Sequence, residues 1–264
     1  MNILLKIAYD GSGFHGWQKQ PGVRTVQGVL EEKLETILRL PLLLEGASRT
    51  DAGVHALGQC ATLRGDFSIP ADRIPVALNN IVSDVRILSA EEKPEDFHAR
   101  FSAAGKTYTY RFAISPEKNI FLRNYAWLLA KSPNIDKMSE AAKYMTGTHD
   151  FACFQATGST ERDSTVRTIY SVQIISGTGT DPAGTVYKTI ETEVTGNGFL
   201  YNMVRIISGT LLEAGFGRIE PKEIANIISA KDRAGAGPTA PPQGLFLKEV
   251  YYGDKIFASH AREE

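Results

Sequence analysis

Residues 45–59, EGASRTDAGVHALGQ, are small, polar and rich in turn formers, yet they lead straight into an apolar strand predicted over Val54–Leu63. Such a segment places polar side chains at a loop-to-strand junction, where a sheet holds them and a ligand can still reach them. Asp51 lies on that loop, two residues beyond Arg49. Asp51-Ala-Gly53 also has the composition of an Asx-turn, so local sequence leaves a structural and a chemical role open.

Outward from this loop the elements mix strands and helices. On the N-terminal side, Ile3, Leu5, Ile7 and Tyr9 alternate as a strand face. After a glycine-rich turn, Val26, Val29, Leu30, Leu34, Ile37 and Leu38 recur at helical spacing behind Thr25, a suitable N-cap. On the C-terminal side a short helix is predicted near Arg73–Ile81 and a strand at Val85–Ala90. Farther on, Thr107–Ile114 reads as a strand and Ile135–Met145 as a helix that Gly147 can end. Strands at Thr168–Ile175 and Thr185–Thr195 flank SGTGTDPAG, which reads as a hairpin connection. Leu200–Ala214 is the most apolar helix, Pro221 suits the first turn of another running to Ala230, AGAGPTAPPQ is a loop, and Gly244–Tyr252 closes as a strand. Hairpins and crossovers in this order make an α+β chain, divided near residues 96–106.

The 264 residues hold 29 Lys+Arg against 30 Asp+Glu, with 42% hydrophobic residues. That composition is globular, and the length suffices for a core without disulfide or metal staples. No apolar run approaches the roughly 20 residues that cross a bilayer. MNILLKIAYDGSG lacks the features of a signal peptide, so the cytoplasm is the expected compartment. Cys60 and Cys153 form no metal or disulfide pattern, and His15, His55, His98, His149 and His260 show no ligand spacing. No GxSxG or Cys/His nucleophile arrangement is present. A net charge of −1 argues against a polybasic chain, but Phe97–Arg123 carries Arg100, Lys106, Arg111, Lys118 and Arg123 against Glu117 alone. That stretch is either a solvated strand face or a track for a phosphate backbone.

Gly11-Ser-Gly-Phe-His-Gly16 follows a strand and matches GxGxxG. The dinucleotide motif needs a helix to begin at its glycines, and here QKQPG intervenes before the predicted helix. A nicotinamide-dependent oxidoreductase is therefore disfavoured, and the segment reads as a tight loop.

SRTDAGVHALGQ resembles the signature around the catalytic aspartate of the TruA family of tRNA pseudouridine synthases. YDGSGFHGWQKQ with RTVQ, DFHARFSAAGKTYTYRF, HDFACF with FLYNMVRIISGTLLEAG, and AKDRAGAGPTAPPQGLFLKEVYY resemble further family segments in the family's order, covering nearly the whole chain. Ser48 stands where relatives usually have glycine. Lys106 stands where they commonly have arginine, keeping the charge without the bidentate fork.

The resemblance implies a pseudouridine synthase fold with two ferredoxin-like halves, residues 1–103 and 104–264, sharing an extended, mainly antiparallel sheet with a central cleft. It implies isomerisation of uridine at positions 38, 39 and 40 of the tRNA anticodon stem-loop by a homodimer, with no cofactor and no metal. Asp51 is then the nucleophile, whether it attacks the sugar or opens a glycal route. A paired uridine must be flipped out to be reached. Arg49 matches the residue that fills the vacated stack and binds phosphate. Tyr108 matches the residue that stacks on the flipped base and is a candidate for C5 deprotonation, although Tyr108, Tyr110 and Phe112 share a strand face that also reads as core. Arg205 matches the cation that pairs with the aspartate, its alternative being an exposed helix face. Leu245 matches an apolar wall beneath the base. A non-catalytic RNA-binding protein on the same scaffold would not need Asp51 and Arg205 together.

Overall fold

The computed structural model describes residues 1–67, 69–115, 119–158 and 164–253. Lys118 and His260, considered above, lie outside them. The chain divides into two compact units, one of residues 1–106 with the segment from Phe246 onward, the other of residues 107–245.

In the first unit, β1 (Asn2–Tyr9) buries alternate residues, with Ile3, Leu5 and Ile7 fully enclosed. The period of two turns these branched side chains onto one face, each contributing roughly 1.5–3 kcal/mol by burial. α1 (Val26–Leu38) starts as its N-cap predicts, the Thr25 hydroxyl accepting from the Gly28 N–H at 3.3 Å. It buries Val26, Leu30 and Leu34. β2 (Leu43–Gly46), β3 (His55–Arg64), α2 (Arg73–Asn79) and β4 (Val85–Glu92) follow. β1 lies between β4 and β3, antiparallel to both, and β2 is also antiparallel to β3. The closing strand of the chain, Leu245–Tyr252, pairs parallel with β3, Phe246 opposite His55. β3 is thus buried along most of its length, which is why its sequence reads as nearly continuous apolar and small residues.

In the second unit, β5 (Ala103–Ile114, in this unit from Thr107) is followed by β6 (Trp127–Leu129), α3 (Ile135–Lys143), β7 (Gly147–Asp150), β8 (Val166–Thr180) and β9 (Val186–Gly196). The sheet order is β5-β9-β8-β7, with β6 beside β5. α4 (Met203–Gly215) and α5 (Glu223–Ala230) precede the closing strand, now β10. In α4 only Arg205 and Glu213 escape burial, as expected of a helix apolar nearly all round. Both units mix helices with mostly antiparallel strands, an α+β architecture.

Two local expectations change. The helix over 135–145 stops at Lys143, and Gly147, with φ +111°, opens β7 instead of ending the helix. SGTGTDPAG is mostly strand, β8 continuing to Thr180. The reversal is confined to Asp181–Thr185, where the Asp181 carboxylate accepts from the N–H groups of Ala183 and Thr185. Gly179 pairs across the hairpin with Tyr187, whose ring covers the space its missing side chain leaves.

Candidate active site

Asp51 occupies a turn whose closure is made by backbone. The Val54 N–H donates to the Asp51 carbonyl at 3.1 Å, and Gly53, at φ +77°, supplies the left-handed residue. The Asp51 side chain is half-buried.

The loop is held from several sides. Gln59 of β3 donates to the Ser48 carbonyl at 2.7 Å, and Lys106 donates through Nζ to the Ala47 carbonyl at 2.7 Å. The Ala47 N–H donates to the Cys60 carbonyl, and the Tyr9 hydroxyl lies 2.8 Å from the Thr50 hydroxyl. The glycine-rich segment 11–16 completes the cradle. The Trp17 N–H donates to the Thr50 carbonyl at 3.0 Å, and the Gly53 N–H to the Phe14 carbonyl at 3.3 Å. Gly11 packs on the Val54 backbone and Gly16 on the Thr50–Asp51 backbone, so neither leaves room for a Cβ. His55 fastens the segment to β3, its buried ring accepting from the Gly11 N–H at 3.0 Å while stacking on Phe246. Asp10 approaches the same ring nitrogen at 3.2 Å.

Arg49 is exposed on the rim of a cavity of about 380 Å³ in the first unit, which Trp17, Glu45, His98, Arg100 and Lys106 also line. Glu45 meets His98 at 3.3 Å and Arg64 at 3.6 Å. Apart from Glu45, the charged side chains of the lining, Arg49, Arg100 and Lys106, are all cations among neutral and apolar neighbours, a balance that suits an anionic ligand.

In the second unit, Tyr108 is buried and meets the Phe199 ring edge-on at 5.2 Å. Tyr110 and Phe112 are fully buried on the same face. The Tyr110 hydroxyl donates to the Pro241 carbonyl, and burial holds its phenol far above the ordinary tyrosine range, with Arg205 pulling the other way. Arg205 is half-buried, not on an open helix face. Its Nε donates to the Ala240 carbonyl and its Nη1 to the Asn202 side chain, both at 2.7 Å. Asn202 adopts φ +59° ahead of α4, a conformation asparagine tolerates. Leu245 is buried at the start of β10.

Asp51 and Arg49 thus belong to the first unit, and Tyr108, Arg205 and Leu245 to the second. Sequence reasoning passed over His55, Gln59 and Trp17 as supports of the aspartate loop; their only signal was proximity to it in sequence or an indole beside a glycine run. Of the basic stretch 97–123, Arg111 already has an acidic partner, its Nε lying 2.8 Å from Glu191. Cys60 and Cys153 are buried, and burial pushes both thiols up to about 11.

Against known proteins, a family model described as tRNA pseudouridine synthase matches residues 6–102 and 141–253. The chain is 45% identical over 251 residues to a protein of Ruminiclostridium cellulolyticum named tRNA pseudouridine synthase A, covering 95% of this chain and 99% of that one. A Bacillus subtilis protein of the same name is 45% identical over 257 residues, 96% of this chain and 99% of its own. A Caldicellulosiruptor bescii counterpart is 42% identical over 257 residues, 95% of this chain and 99% of its own.

Proposed function

Because the chain belongs to the tRNA pseudouridine synthase family, we propose that it isomerises uridine to pseudouridine at positions 38, 39 and 40 of the tRNA anticodon stem-loop, with Asp51 as nucleophile. The observation that carries this reading is the aspartate loop itself, whose backbone is fastened at Ala47, Ser48, Thr50 and Gly53 and which holds Asp51 at the end of β3. A fixed carboxylate suits a reaction that needs attack and departure at the same sugar carbon.

The N1–C1′ bond breaks, the uracil turns, C5 bonds to C1′, and the C5 proton is lost while N1 regains one. Nothing is oxidised or hydrolysed. Asp51 serves as an anion, by adding to C1′ or by removing the 2′ proton on a glycal route. In this reading residues 1–103 supply the aspartate loop and residues 104–264 supply Tyr108, Arg205 and Leu245. Arg49 fills the stack that the flipped nucleotide leaves. Tyr108 stacks on the base and takes the C5 proton, Arg205 serves as counter-charge to the aspartate, and Leu245 is an apolar floor. The protein acts as a homodimer in the cytoplasm, two local basic surfaces serving one tRNA despite the near-neutral net charge.

The test is to map pseudouridine in unmodified tRNA after incubation with the purified protein. Modification confined to positions 38–40 is expected. Modification of another arm would overturn the specificity, and absence of any pseudouridine would overturn the activity.

A further inference from the structure

Phe101 is 76% exposed, the most open of the large apolar side chains among the described residues. Single exposed apolar residues are ordinary. This one stands on a turn fastened by hydrogen bonds on both sides of it. The Ser102 N–H donates to the His98 carbonyl at 2.9 Å, the Arg100 N–H to His98 Nδ1 at 3.0 Å, and the His98 N–H to the Ser102 hydroxyl at 3.1 Å. The Tyr252 hydroxyl donates to the Ala99 carbonyl at 2.8 Å, while Asn2 and Arg64 both donate to the Phe97 carbonyl. The ring is therefore presented by a rigid support, so little ordering entropy remains to be lost when something lands on it.

Its neighbours are cationic or aromatic. The His98 ring lies 4.4 Å from the Phe101 ring, and the Arg100 guanidinium 5.5 Å from its centroid. The same turn lines the cavity that Arg49 and Lys106 share, beside the aspartate loop. An open aromatic ring among cations is the construction that binds unpaired nucleotides, the base on the ring and the phosphate on the cations. We infer that Phe101 is a stacking shelf for an unpaired nucleotide close to the target uridine, whose phosphate is met by Arg100 and Arg49. This rests on the RNA-modifying reading and adds to it a subsite for the unpaired part of the stem-loop.

The test uses the full-length protein, a 5-³H-uridine tRNA and a synthetic anticodon stem-loop carrying 2-aminopurine at each unpaired position in turn. Losing one base stack should raise KM for tRNA roughly tenfold in Phe101→Ala, with kcat within about twofold. Phe101→Trp should restore KM, while Phe101→Leu, apolar but without a π face, should not. Arg100→Gln should make the salt dependence of binding shallower by about one phosphate, and Phe101→Ala should leave that slope unchanged. One 2-aminopurine position should be quenched by the wild type and not by Phe101→Ala. Wild-type KM in Phe101→Ala, or full rescue by leucine, would overturn the shelf. A drop in sedimenting mass in Phe101→Ala would overturn it too, in favour of a contact with a second copy of the chain. A wild type that quenches the probe yet forms no pseudouridine would support the shelf while overturning the proposed activity.

Discussion

A methyl group added at Gly16 should reach the reaction through the aspartate loop. The residue has φ +88°, and a Cβ there would lie 2.5 Å from the Thr50 carbonyl oxygen and 3.2 Å from the Asp51 carbonyl carbon. An unstrained carbon–oxygen contact needs about 3.3 Å, so the loop must retreat by about 0.8 Å. Both obstacles are backbone, and the loop is tied to this same segment by the Trp17–Thr50 and Gly53–Phe14 hydrogen bonds. No side chain can swing aside to absorb the collision. A displacement near 1 Å at a reacting group costs about a hundredfold in rate, so Gly16→Ala should lower kcat by about ten- to a hundredfold. It should also lose about 1–2 kcal/mol from the left-handed backbone alone, or a few degrees of Tm. Gly22→Ala separates the two effects: Gly22 has φ +75° with nothing within 4 Å of its Cβ position. That variant should show the same order of Tm loss with wild-type kcat. Tritium release from 5-³H-uridine tRNA and thermal melts read both. Undiminished kcat in Gly16→Ala, or an equal fall in Gly22→Ala, would refute the mechanical link.

Asp51→Asn should bring pseudouridine formation below detection while leaving tRNA affinity and Tm near wild type, because affinity comes mainly from phosphate contacts; appreciable tritium release by the folded variant would remove Asp51 from the chemistry. Lys231, 2.8 Å away, and the Thr165 hydroxyl hold the Asp150 carboxyl below its usual range. A carboxyl so depressed adds stability above its unfolded pKa of about 3.9 that fades as the pH falls through its lower folded value, so the Tm gap between wild type and Asp150→Asn should be present at neutral pH and close below about pH 4. With both buried thiols pushed up to about 11, a thiol-exchange reagent at pH 8 should label native protein only slowly but find two thiols at once after denaturation; rapid labelling of native protein would contradict the burial.

Elements with a strong period and a clear cap were legible. α1 has both its stripe and Thr25, and its bounds follow from them. The hairpin β8–β9 was legible but its connection read too long, because Gly177 and Gly179 look like turn residues, whereas threonine and tyrosine side chains of the facing strand fill the gaps they leave. β2 and β6, of four and three residues, are too short to carry a period; each exists because a longer strand offers it an edge. The partner of Arg111 was not legible, because nothing in sequence reveals that Glu191, eighty residues on, faces it. The exposure of Phe101 carried no sequence signal, since it depends on donors from Asn2, Arg64 and Tyr252 that fix the turn.

The aspartate itself was visible in the sequence, but what holds it was disguised as something else. GSGFHG after a strand has the spelling of a phosphate cradle, and both uses of such glycines rest on one fact: without a Cβ, another backbone can approach closely. In a dinucleotide site the approaching group is a pyrophosphate at a helix N-terminus. Here α1 begins ten residues past Gly16, and the approaching group is the chain's own loop at Thr50–Val54. The distance from the last glycine to the helix separates the two cases, because a ligand site needs the helix dipole there and a backbone cradle does not. The consequence is mechanical. Asp51 lies on a loop yet is held like a residue of a sheet, with β3, β5 and the glycine segment bonding the backbone of Ala47, Ser48, Thr50 and Gly53 and β1 meeting the Thr50 hydroxyl. A carboxylate fixed this way has little positional freedom left to lose when RNA binds, so under the proposed role of Asp51 substitutions in the cradle should act on kcat more than on KM.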